Sequence, residues 1–394
     1  MHGLPHQRVT IGAFRGLRSV ELSGCGRVNI LVGGNNSGKT SILEALLILA
    51  NPFSLEQWRG VIELRTAWPL VDRRFGRVGT NRLDSISWLF PHIDGEPAAI
   101  ELAVGDPPNG LIATVERIIG EPPDRPIVES DEVMEASFAR RNTHEDEGSE
   151  EPLEQSGLII EVSLGKMTTQ SHSFDAIDDS FRMVLWEKGA LARGQAKSAW
   201  PSIPVAFATP ISHRSDGYLA AHVSKILRKD RKPRALEILR RLDSRVMDLI
   251  IVTPEDSESR SVIPRRGSAP TLHVEFEGTG LVPVHALGDG VRRALHFAIL
   301  LADLDQGGLL LIDEIESAMH ISVLSHVFGW LSKECLERGV QLFATTHSLE
   351  AVDSMLSATP DEELTVYRLR DGKTRRFSGE ILRVSRTELG QELR

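Results

Sequence analysis

Residues 28–50 read Val-Asn-Ile-Leu-Val-Gly-Gly-Asn-Asn-Ser-Gly-Lys-Thr-Ser-Ile-Leu-Glu-Ala-Leu-Leu-Ile-Leu-Ala. Gly33 to Thr40 satisfy G-x-x-x-x-G-K-[ST], set between an apolar run and a segment with Ile42, Leu43, Leu46, Leu47 and Leu49 at helical spacing. A strand, a glycine-rich loop and a helix in that order predict a phosphate cradle. Gly33 and Gly38 let the backbone curl, so that consecutive N–H groups and the helix N-terminus face an anion. Asn35, Asn36, Ser37 and Ser41 complete the set around the phosphates, Lys39 reaches the β and γ phosphates, and Thr40 places its hydroxyl on Mg²⁺. The expected ligand is a nucleoside triphosphate.

At 394 residues and 41% apolar, the chain has the material for a large core and a length that suggests two domains or one with large insertions. Its longest apolar runs fall well short of the roughly 20 residues that span a bilayer. Met1-His2-Gly3-Leu4-Pro5 lacks the charged and apolar regions of a secretory signal. The expectation is a cytoplasmic protein with no membrane partner. Cys25 and Cys335 stand far apart without a C-x-x-C spacing, which indicates neither zinc nor a disulfide framework.

The net charge of −10 is unevenly distributed. Between Glu121 and Glu154 there are twelve acids and three bases, a local −9, so the remainder is near neutral. Rich in Pro, Glu, Asp and Ser, residues 121–157 read as a mobile acidic insertion. The opposite bias lies between Lys225 and Arg245, with nine bases and three acids. It falls on an expected helical pair, one helix lined by Leu219, Val223, Ile226 and Leu227, the other by Leu236, Leu239, Leu242, Val246 and Leu249.

Around these features the chain alternates strands and helices. The first 30 residues read as a β-meander leading into the phosphate loop, and alternating runs at 99–104 and 111–118 suit hairpin strands. Val205–Ala208 read as a buried strand, and the apolar or nearly apolar runs Leu309–Ile312 and Val340–Ala344 suit buried parallel strands. A helix from Ile321 to Arg338 joins the last two by a crossover. The Asp371-Gly372 turn between 364–369 and 374–378 predicts a terminal hairpin.

Three motifs carry the chemistry. The strand 309–312 ends in Asp313-Glu314, where an α/β sheet presents ligand groups: Asp313 to hold Mg²⁺, Glu314 to polarise an attacking water. The next strand ends in Ala344-Thr345-Thr346-His347-Ser348, which puts His347 in place to sense a γ-phosphate. Upstream, Gly288-Asp289-Gly290 precedes a helix expected from Arg293 to Leu304 and suits an anion.

In this order the motifs resemble the ABC-type ATPase head of the OLD, RecF and SMC group, and most of all the OLD-like ATP-binding proteins of bacterial defence modules. Ile11-Gly12-Ala13-Phe14-Arg15-Gly16-Leu17 looks like that group's opening strand. The resemblance covers residues 7–50 and 280–350. It implies an α/β P-loop head with a mostly parallel core sheet, an antiparallel N-terminal sheet and a helical insertion. It also implies ATP and Mg²⁺ as cofactors, with Lys39, Glu314 and His347 as the catalytic set. Gly288, Asp289 and Gly290 would form a signature segment that meets the ATP of a second subunit, and 317–320 would communicate across that interface. Expected boundaries are 1–203 for the N-terminal part of the head, 204–280 for the basic insertion and 281–394 for the C-terminal part. The implied function is an ATP-driven switch that pairs with itself and signals to an effector encoded nearby, or to duplex DNA, in anti-phage defence. A RecF-like DNA clamp in repair is the alternative. Two departures stand out. Thr209-Pro210-Ile211-Ser212-His213-Arg214 occupies the expected lid position with no Gln, and the 44 or so residues after Glu350 are too few for a Toprim nuclease domain.

Overall fold

The computed structural model describes residues 5–54, 57–58, 60–61, 82–93, 96–106, 108–120, 155–167, 174–186, 189–193, 200, 202–214, 222–224, 226, 231–252, 271–304, 307–370 and 372–388. The expected acidic insertion lies outside them except for 155–157, which open a strand. The chain divides into two units, one of residues 1–10, 19–50 and 202–394, the other of 11–18 and 51–201.

The first unit is built on a six-stranded sheet. Its strands are β3 (Val28–Gly33), β11 (Val205–Ala208), β15 (Leu309–Ile312), β16 (Gln341–Thr346), β17 (Leu364–Arg370) and β18 (Lys373–Ser378), in the order β11-β15-β16-β3-β17-β18. The first five run parallel and β18 closes an antiparallel hairpin on β17. Leu309, Leu310, Leu311 and Ile312 are all buried, as the apolar run requires of a strand covered on both faces. Helices α1 (Lys39–Ala50), α4 (Asp289–Leu304), α5 (Ile321–Arg338) and α6 (Leu349–Ala358) bury apolar residues of the same unit. Gly339 ends α5 in the left-handed region at φ 69°, a usual C-terminal stop. Buried Asn29 on β3 is satisfied: its amide donates to Gly26 O and Leu342 O, and its carbonyl accepts from Gly26 N.

The second unit holds most of a seven-stranded sheet, ordered β10-β9-β8-β7-β6-β1-β2. Its strands are β1 (Arg8–Phe14), β2 (Leu17–Ser23), β6 (Ile100–Val104), β7 (Asn109–Gly120), β8 (Gln155–Met167), β9 (Phe174–Trp186) and β10 (Gly189–Arg193). β6 to β10 pair antiparallel in sequence order, so the alternating runs do form hairpins. The short strands β4 (His92–Ile93) and β5 (Glu96–Pro97) and the helix α2 (Arg82–Ser87) complete this part. Trp58 stacks on Phe90 and Phe53 meets Phe181 edge-on.

Three readings need correction. The opening meander stops after β2, because β3 leaves it for the parallel sheet. The second basic helix, α3 (Lys232–Leu242), ends where Asp243 turns extended, and Val246–Val252 form a strand, β12. The run Val-Met-Asp-Leu-Ile-Ile-Val is rich in β-branched residues, and it pairs with β13 (Thr271–Phe276), which pairs in turn with β14 (Gly280–Pro283). Helix α4 begins at Asp289 rather than Arg293, so Gly290 is helical. Of the first basic helix, Val223 and Ile226 are described and buried; Leu219 and Leu227 lie outside the described residues.

Leu311 lies on β15, between β11 and β16, with no exposed surface. Leu311→Ala is expected to cost about 2–5 kcal/mol in urea unfolding, from lost burial and an unfilled cavity.

Candidate functional site

The phosphate loop, the acid pair and His347 follow β3, β15 and β16 at one edge of the parallel sheet, where the strands lie in register with Ile312 beside Ala344 and Thr346 beside Val32. β3 delivers the glycine-rich loop, and α1 starts at Lys39. Gly33 is required by close approach, since a Cβ there would lie 2.5 Å from Leu369 O and 2.9 Å from Ser37 Oγ. Lys39, nearly covered, turns its ammonium onto the loop, donating to Gly33 O at 3.0 Å and Gly34 O at 2.8 Å. Burial lowers its pKa, and the charges of Asp313, Glu314 and Glu316 work against that shift. An ammonium facing neutral carbonyls would gain from a phosphate oxygen, a stronger charge-assisted acceptor.

Asp313 is the hub. Thr40 Oγ1 lies 3.1 Å from each of its carboxylate oxygens, and Thr345 Oγ1 donates to Oδ1 at 2.6 Å. Thr345 also accepts from Glu314 N at 2.8 Å, so one hydroxyl fixes both acids. A hydroxyl and a carboxylate converging beside a buried lysine fit a hard divalent cation that keeps some of its waters. Glu314 is exposed and left-handed at φ 47°, uncommon for a residue with a Cβ.

The other expected residues are placed nearby with different contacts. His347 follows β16 with an exposed ring, and it is its backbone N–H that bonds, to Glu316 Oε1 at 2.9 Å. Gly288 is exposed just before α4. A Cβ on Gly290 would stand 3.3 Å from Ala318 O, so the Gly288–Gly290 segment packs against the loop after the acid pair. Asp289 accepts from Arg214 at 2.6 Å and Arg292 at 3.3 Å. Burial opposes its charge, yet the hydrogen bond and charge of Arg214, with His213 and Arg292, hold its pKa below the usual value.

Thr209–Arg214, the expected lid position, is a packed turn. Thr209 and Ser212 bond reciprocally, side chain to backbone, around the 3-10 turn Ser212–Arg214, and His213 is fully buried. Four functional candidates escape the sequence reading: Thr345, Glu316, His213 and Arg293. Arg293 alone leaves a signal, a cation one turn before Phe297 on an otherwise apolar helix face. Its side chain has no exposed surface; it donates to Thr209 O, to Asp313 O at 2.8 Å and to Glu314 O at 3.0 Å.

Among the described residues of the basic stretch, three cations pair with acids. Lys232 pairs with Asp248 at 2.8 Å, Arg241 with Glu237 at 2.8 Å and Arg245 with Asp243 at 2.7 Å. Arg231 and Arg240 donate to backbone carbonyls.

A family model described as "AAA ATPase domain" matches residues 7–84, and one described as "AAA domain, putative AbiEii toxin, Type IV TA system" matches residues 173–353. The chain is 37% identical over 114 residues to an uncharacterized protein of Methanocaldococcus jannaschii, a match covering 27% of this chain and 99% of that one. It is 48% identical over 62 residues to the DNA replication and repair protein RecF of Pseudomonas aeruginosa, covering 15% of this chain and 17% of RecF's length. Among solved structures, an SMC head bound to the C-terminal winged-helix domain of ScpA aligns with TM-score 0.46 and 13% identity, over 95% of this chain and 97% of that one. RecF with ATP aligns with TM-score 0.44 and 13% identity, over 96% and 100%. The fold and the phosphate-loop site define an ABC-type ATPase head. The chain belongs to the AAA family of ATPases. Among the described residues no helix is long and apolar enough to cross a membrane.

Burial, with Arg293 next, lowers the His213 pKa to about 4. The unfolded chain, with His near 6.5, therefore binds more protons between pH 6.5 and 4, so this contribution is present above 6.5 and lost as the pH falls. In urea unfolding across that window, His213→Asn is expected to flatten the pH dependence by up to about one proton.

Proposed function

We propose that this head binds ATP with Mg²⁺ and hydrolyses it as a switch, pairing with a second copy while ATP is held. The observation that carries the reading is the joint placement of Thr40, Asp313 and Thr345 beside a buried Lys39. Lys39 would leave the loop carbonyls for the β and γ phosphates, and Thr40 with Asp313 would hold the cation. Mg²⁺, when bound, supplies positive charge to the phosphate oxygens. Glu314, exposed at the sheet edge, would accept a hydrogen of the attacking water on its carboxylate and aim the oxygen in line. His347 would face the γ-phosphate, held by the bond from its own backbone to Glu316. Gly288, Asp289 and Gly290, beside Ala318, would meet the ATP of the partner copy. The state of this pair would be read by a nearby effector in defence against phage.

A second reading, a DNA clamp, is favoured by the sequence match to RecF. The basic stretch supports it weakly, because its described cations are already engaged. Duplex binding lost between about 50 and 200 mM salt would favour the clamp.

Lys39→Ala is expected to abolish ATP binding in equilibrium dialysis. Glu314→Gln should bind ATP normally but release phosphate at least about a hundredfold more slowly; wild-type release by that variant would remove Glu314 from the role.

A further inference from the structure

Arg293 is a buried cation that the catalytic account leaves without a task. It projects from α4 one turn after Asp289, in the helix that opens with the signature segment. One guanidinium nitrogen donates to Thr209 O at the end of β11, and the other to the carbonyls of both Asp313 and Glu314 at the end of β15. The ring of Phe297, 5.0 Å away, covers it. Glu314 holds a positive φ that side chains rarely adopt, a strained state that persists only where its surroundings fix it. Thr345 fixes the amide of Glu314, and Arg293 fixes the two carbonyls that bracket that residue.

We infer that Arg293 is a positioning residue, tying the helix behind the signature segment to the backbone that aims Glu314. A shift of α4 pulls on the Asp313 and Glu314 carbonyls through one rigid planar group. A lysine cannot reproduce this, because a single ammonium does not span three carbonyls in that plane. The neighbourhood is otherwise stiff: Gly290 abuts Ala318, and Arg214 ties Asp289 from outside. The position of the signature segment and the aim of the carboxylate therefore change together.

The inference rests on the ATPase reading, and its test separates the two. In Arg293→Lys, ATP affinity by equilibrium dialysis is expected to stay within about twofold of wild type, while kcat falls at least about tenfold. Combined with Glu314→Gln, it should lower phosphate release no further than Glu314→Gln alone. Retained kcat in Arg293→Lys, with the wild type turning over ATP, would overturn the inference; no turnover by the wild type overturns the ATPase reading beneath it. A second measurement needs no Arg293 variant. Amide hydrogen exchange of Glu314→Gln with and without ATP and Mg²⁺ should show residues 288–293 and 313–318 gaining protection together. Protection confined to the phosphate loop would contradict the coupling.

Discussion

The site depends on the carboxylate of Asp313, held by two threonine hydroxyls from different elements. Thr40 belongs to the helix after the phosphate loop and Thr345 to the neighbouring strand, so the contact requires β15, β16 and β3 to hold their register, Ile312 beside Ala344 and Thr346 beside Val32. The parallel order β15-β16-β3 meets that condition, because each strand reaches the same edge before its chain turns into a helix or loop. A one-residue slip of β16 would turn Thr345 to the other face and leave the amide of Glu314 without its acceptor. The buried apolar runs of the sheet thus serve the chemistry by fixing register.

A second layer of polar contacts surrounds this hub. Arg293 spans the ends of β11 and β15 from α4, and Glu316 draws the backbone of His347 toward the acid loop. His213 and His296 lie buried near Arg293, and burial followed by the charge of that arginine keeps both pKa values low. Neutral imidazoles let one cation be buried without adding like charges around it.

Much of this was legible in the chain. The phosphate loop, the Asp-Glu strand and the terminal hairpin announce themselves through local pattern, and each lies where its pattern put it. Period failed where two states share one composition: Val246 and Leu249 fit a helical spacing, but Asp243 ends α3 and the β-branched run pairs with β13. Thr345 was hidden for a different reason. Every residue of β16 is buried, so the strand has no polar face to tell which threonine points at the acids. The lid expectation at Thr209–Arg214 came from family resemblance, whereas the hydroxyls of Thr209 and Ser212 close that segment on itself.

If the hub is a cation site, ATP affinity must depend on Mg²⁺ through Asp313. The direct measurement is calorimetric titration of ATP into the wild type and into Asp313→Asn, each with and without Mg²⁺. Affinity that rises with Mg²⁺ in the wild type and stays unchanged in the variant is the predicted result. Equal wild-type affinity in the presence and absence of Mg²⁺ would contradict it.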